Sequence, residues 1–179
     1  MPSSNASAIY AIDPGGTTGV AFAIVDISQP TVARCIKRAW SKGLLWTENV
    51  EGSHAEQAWK ISRWVTDFFF HYHIERSFIT AGRTYIAIED FQLRQMSADL
   101  APVRITAGIE TLLAGAFGME DLFSDSPFYV KQQPSHAKGF CTDDMLRRWG
   151  LLKKRSPHER DALRHLVLRV NNLMTAEGR

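Results

Sequence analysis

Ala8-Ile9-Tyr10-Ala11-Ile12-Asp13-Pro14-Gly15-Gly16-Thr17-Thr18-Gly19 opens the interpretable part of the chain, and Val20-Ala21-Phe22-Ala23-Ile24-Val25 follows it directly. A short apolar run stops at an Asp, a Pro-Gly-Gly turn intervenes, and small and β-branched residues resume. That pattern predicts two strands joined by a glycine-rich turn. Val32 to Trp40, which follows the breaker Pro30 and alternates moderately, is expected as a third strand, making an antiparallel meander. From Ser53 to Ile74, Ala55, Ala58, Trp59, Ile61, Trp64, Val65 and Phe68 recur at three- and four-residue spacing, the pattern of an amphipathic helix capped by Ser53 and ending in a loop with Gly82.

Further along, Tyr85-Ile86-Ala87-Ile88-Glu89 is apolar until its last residue, as in a strand buried on both faces. A helix is expected from about Pro102 to Phe117 and a fifth strand at Phe128-Tyr129-Val130. Ser135 to Gly150 is read as a loop and a short helix capped by Thr142. Ser156-Pro157-His158-Glu159 then opens a last helix to about Leu173: Ser caps, Pro takes the first turn and Glu completes a capping box. These elements predict an α/β fold with a five-stranded mixed sheet, three antiparallel strands then two parallel ones, flanked by helices. One domain over 8–174 is expected, between a disordered lead at 1–7 and a flexible tail at 175–179.

Composition narrows the class. The 179 residues are 45% hydrophobic and contain only two cysteines, which excludes a disordered chain and a disulfide scaffold. A cytoplasmic or organellar-nucleoid setting, without secretion or membrane insertion, is the expectation. The net charge of +2 hides an asymmetry: residues 1–129 carry 10 basic and 14 acidic side chains, whereas residues 130–169 carry 10 and 4. An acidic site and a basic surface can coexist in such a chain, and nucleic acid is the first partner to test.

Three constellations carry chemistry. Asp13, where a strand leaves the sheet, is followed by glycines that admit close backbone approach; it either serves a metal or phosphate site or forms a plain hairpin turn. Glu89 ends a buried strand in the same way. On neighbouring strands the two carboxylates would share one sheet edge, where their repulsion makes a divalent cation a natural third member. His158 and Asp161, three apart, project from one face of the last helix. A helix N-terminus favours Asp161 and Glu159 through its dipole but disfavours a cationic His, so His158 calls for a neutral form or an anionic or metal partner. His165, one turn beyond Asp161, is read as a supporting or packing residue.

Together, Asp-Pro-Gly-x-x-x-Gly, the apolar strand ending in Glu and the last helix with Asp-Ala-Leu-x-His resemble the RuvC-type Holliday-junction resolvases of the RNase H-like superfamily, their phage-type relatives in particular. The resemblance implies an RNase H-like fold and a structure-selective endodeoxyribonuclease that resolves four-way or other branched DNA in recombination, as a homodimer. It implies two Mg2+ ions, with Mn2+ as a substitute, on Asp13, Glu89, His158 and Asp161. His158 stands where the family has Asp or His. Lys131 and Lys138 match basic residues set beside the DNA, and Phe91 matches an aromatic used against unpaired bases, one residue closer to the Glu than in the family. With Arg147, Arg148, Lys153, Lys154 and Arg155 they make a basic segment able to neutralise several phosphates. The apolar face of the first long helix, with Trp59, Trp64 and Phe68, is the expected dimer surface. Rival readings are an RNase H-like nuclease on RNA or replication forks, a single-domain relative of the actin-like and sugar-kinase ATPases, whose phosphate turn also reads Asp-x-Gly-Gly-Thr, and a non-catalytic junction-binding protein.

Overall fold

The computed structural model describes residues 6–74, 84–91, 99–117, 128–152 and 155–178. Gly82, Lys153 and Lys154 lie outside them. In chain order the elements are β1 (Ala6–Asp13), β2 (Thr18–Asp26), α1 (Val32–Ser41), β3 (Leu45–Val50), α2 (His54–Ile74), β4 (Thr84–Glu89), α3 (Ala101–Phe117), β5 (Tyr129–Gln132), α4 (Pro134–Phe140), α5 (Asp143–Arg148) and α6 (Pro157–Ala176). The five strands form one sheet in the order β3-β2-β1-β4-β5. β2 pairs antiparallel with β1 and β3, while β4 pairs parallel with β1 and β5, which is the mixed sheet expected.

Alternation along the strands divides the core between the two faces of the sheet. Ile9, Ala11, Ala21, Ala23, Tyr85 and Ala87 meet α1 and α6 on one face. Tyr10, Ile12, Val20, Phe22, Ile86 and Ile88 meet α2 and α3 on the other. Asp13 and Glu89 continue the odd-numbered series of β1 and β4, so the period of two aims both at the face covered by α6.

Three expectations are corrected. Val32–Ser41 is a helix, not the third strand: Thr31 accepts a hydrogen bond from the Arg34 amide, and Cys35, Ile36 and Ala39 are buried at helical spacing. The third strand is instead Leu45–Val50, a polar edge strand that alternation of apolar residues does not reveal. Residues 135–140, expected as loop, belong to α4, which Pro134 opens. Boundaries shift as well, since Ala6 and Ser7 are buried in β1 and α6 extends to Ala176. On α2, Ser53 and Glu56 exchange hydrogen bonds as a capping box (3.3 and 2.7 Å). Its Trp64 and Phe68 face inward against Trp46 and Phe22 (ring centroids 5.7 and 4.7 Å), so of the three aromatics expected at a dimer surface only Trp59 is exposed, at 52%.

Candidate functional site

The site is assembled by docking the N-terminus of α6 across the ends of β1 and β2. Ser156 and Glu159 form the capping box foreseen from sequence, with Pro157 in the first turn. Glu159 does a second job: its carboxylate accepts from Thr47 (2.8 Å) and Asn49 (3.5 Å), while the Ser156 hydroxyl donates to Asn49 Oδ1 (2.7 Å). The polar face of β3 is thus the seat of the last helix. Gly19 makes the approach possible, because a Cβ there would lie 2.1 Å from the His158 carbonyl oxygen. The glycine turn itself is stapled by Gln57, wholly buried, which donates to the carbonyls of Gly16 (3.0 Å) and Gly52 (2.9 Å) and accepts from Thr18 (2.5 Å).

This docking brings Asp13, Glu89, His158 and Asp161 together. Ile12 is in register with Ile88, which makes Asp13 and Glu89 neighbours at the carboxyl ends of parallel strands. His158 Nδ1 lies 3.0 Å from Asp13 Oδ2. Burial, then the charges of Glu89 and Asp161, then a hydrogen bond with Glu89, push the Asp13 carboxyl up to about 8, against a smaller opposing pull from Lys138. Asp161 is held on one oxygen by Lys138 (3.0 Å) and on the other by Arg164. Glu89 Oε2 is 3.0 Å from His165 Nε2.

Hard oxygen donors from three elements converge here, and burial together with their mutual repulsion disfavours the charged form of Asp13, a penalty that a divalent cation would relieve. Among the described residues no group of three or more His, Cys, Asp or Glu side chains is arranged to hold a metal ion. Mg2+ does not require one, because it binds through one or two carboxylates and completes its shell with water and substrate phosphate. The residues present therefore fit such an ion.

Sequence reasoning missed Arg164 and its link to Asp143. Arg164 bridges Asp161 and Asp143 and donates from Nε to the Cys141 carbonyl (3.2 Å), tying α6 to the start of α5. An Arg one turn after Asp161 was the available signal, but Asp143 is reached only through the fold. His165 is 1% exposed and supports Glu89, in keeping with its reading.

The basic residues divide. Arg147 and Arg148 are exposed, with Arg147 paired to its neighbour Asp144. Lys131 is exposed and pairs with Glu110 (2.9 Å). Arg155 is built into the fold: its guanidinium lies over Trp40 (4.9 Å), Nε donates to Thr47 (3.0 Å), and Nη1 donates to the Leu151 carbonyl. Phe91 is half-buried just past the end of β4, two residues beyond Glu89.

No protein-family model and no curated protein matches this sequence. Among solved structures, Thermus thermophilus RuvC matches with a TM-score of 0.54 at 17% identity, over 96% of each chain. The same protein in complex with a Holliday junction substrate matches with a TM-score of 0.55 at 18% identity, again over 96% of each. The chain has the RuvC fold. The match to RuvC spans nearly the whole of both chains, in keeping with the mixed five-stranded sheet flanked by helices.

Proposed function

We propose that this chain is a divalent-metal-dependent endonuclease that cuts branched DNA, four-way junctions foremost, by hydrolysing phosphodiester bonds. The observation that carries the proposal is the convergence of Asp13, Glu89 and Asp161 at one sheet edge, where burial and then the charges of the latter two raise the Asp13 carboxyl. Asp13, Glu89 and Asp161 would hold two Mg2+ ions, or Mn2+ in their place. Bound there, the metal supplies an activated water and stabilises the departing oxygen. His158, bonded to Asp13 and with its side chain 43% exposed, would either join the metal ligands or contact the attacking water or the scissile phosphate.

The junction complex among the RuvC structures supports branched DNA as substrate. Lys131, Lys138, Arg147 and Arg148, with Lys153 and Lys154, would supply phosphate contacts. Symmetric incision of a junction needs two sites, so the active form is proposed as a two-fold homodimer. The proposed setting is the cytoplasm of a bacterial or phage-infected cell, or an organellar nucleoid.

A second reading, a junction binder without catalysis, has one observation in its favour: both Asp161 oxygens are engaged, by Lys138 and Arg164. Labelled four-way junction, fork, duplex and single strand, incubated with and without Mg2+, separate the two. Paired nicks in the junction only with Mg2+ support the nuclease; binding of the junction with no nick in either Mg2+ or Mn2+ supports the binder.

A further inference from the structure

Gln132 closes β5 and His165 lies on the third turn of α6; both are buried, at 6% and 1% exposure, and their side chains meet between the sheet and the helix. His165 Nδ1 is 3.0 Å from Gln132 Oε1, and His165 Nε2 is 3.0 Å from Glu89 Oε2. The Gln132 Nε2 is buried with no hydrogen-bond partner among the described residues.

The donor inventory resolves this chain of contacts. An ionised carboxylate only accepts, so the bond to Glu89 requires a proton on His165 Nε2. A neutral imidazole then presents a lone pair at Nδ1, which needs a donor facing it. Turning the Gln132 amide end for end, an assignment that heavy-atom positions leave open, puts its NH2 against Nδ1. That one change gives the orphaned Nε2 its partner and leaves an acceptor, Oε1, in the position it vacates.

We infer that Gln132 and His165 form a positioning relay in which Gln132 fixes the tautomer of His165, and His165 fixes the direction of the Glu89 carboxylate toward the metal site. This inference rests on the proposed metal-dependent nuclease. A ligating carboxylate held by a buried hydrogen bond binds its metal without first having to order itself, and loss of such a support costs roughly 10- to 100-fold in metal affinity or activity. His165 touches neither substrate nor metal; it acts through Glu89.

The test is Mn2+ binding to the DNA-free chain by titration calorimetry, together with junction affinity and kcat, for His165→Leu, His165→Gln and Gln132→Leu. Leu removes the donor while filling the buried volume, whereas Gln places an amide N–H near the position of Nε2. The expected result is about 10-fold or greater loss of Mn2+ affinity and of kcat for His165→Leu at unchanged junction affinity. His165→Gln should recover most of both, and Gln132→Leu should lose several-fold. Wild-type Mn2+ affinity in a folded His165→Leu chain overturns the relay and leaves the nuclease reading standing. Should His165→Leu not fold, Gln132→Leu decides, and unchanged Mn2+ affinity there overturns the relay. A wild-type chain that takes up no Mn2+ and cuts no junction overturns relay and nuclease together.

Discussion

Gly19→Ala should take the site apart by moving one helix. The added Cβ would lie 2.1 Å from the carbonyl oxygen and 2.3 Å from the carbonyl carbon of His158, whereas ordinary contact begins at 3.4 Å. Both atoms are backbone, so no side chain can swing aside, and the first turn of α6 must retreat by more than 1 Å from β2. The 3.0 Å contact of His158 with Asp13 and the 2.7 and 2.8 Å bonds of Ser156 and Glu159 to β3 all cross that gap. Overpacking of this kind costs about 1–3 kcal/mol, and each strained bond adds up to about 1 kcal/mol. A total of about 3 kcal/mol corresponds, for a chain of this size, to a Tm lower by roughly 6–12 °C. Thermal unfolding followed by circular dichroism measures it, with Gly16→Ala as control, since a Cβ at Gly16 meets nothing within 4 Å. The variant should also bind Mn2+ more weakly. A Gly19→Ala chain that melts within about 2 °C of wild type and binds Mn2+ equally well would refute the docking argument.

Three further outcomes follow from other parts of the site. Asp13 keeps its proton up to about pH 8 in the fold but releases it near 3.8 when unfolded, so without metal its contribution to stability is full below pH 3.8 and is lost as pH rises toward 8. The slope reaches up to about 1.4 kcal/mol per pH unit, and urea melts of metal-free Asp13→Asn across that window should be flatter than wild type by this amount. Gln57→Leu deprives Thr18 and two glycine carbonyls of their partner and should cost about 2–4 kcal/mol by the same melts, with a parallel loss of Mn2+ affinity. Arg155→Ala should lower stability by about 1–2 kcal/mol through its Trp40, Thr47 and Leu151 contacts, whereas exposed Arg148→Ala should leave stability alone and reduce the salt slope of DNA binding by about one. Unfolding midpoints and salt titrations check both.

Local signals in the sequence were sufficient where the structure obeys local rules. The turn after Asp13, the buried run ending in Glu89 and the Ser156 capping box each depend on residues within a few positions, and all three stand as read. Val32–Ser41 misled because an apolar residue every three or four positions also passes for loose alternation over nine residues, and the Thr31 cap was overlooked. β3 was missed for a different reason. Its Thr47 and Asn49 are polar because they receive α6 rather than a hydrophobic layer, and no local rule anticipates that. Trp64 and Phe68 are apolar on a helix whether they face a partner or their own sheet, so composition alone did not separate the two. Arg164, Gln132 and His165 acquire their roles across 21, 33 and 76 residues of separation, which only the fold supplies.

Asp13→Asn against wild type on a labelled four-way junction in Mg2+ is the most direct test, because the substitution keeps the size of the side chain while removing the charge that the site is built to present to a cation. Wild type should nick the junction in paired strands, and the variant should bind it with comparable affinity and leave it intact. Cleavage by Asp13→Asn at the wild-type rate, or a wild type that cuts equally well in excess EDTA, would contradict the account.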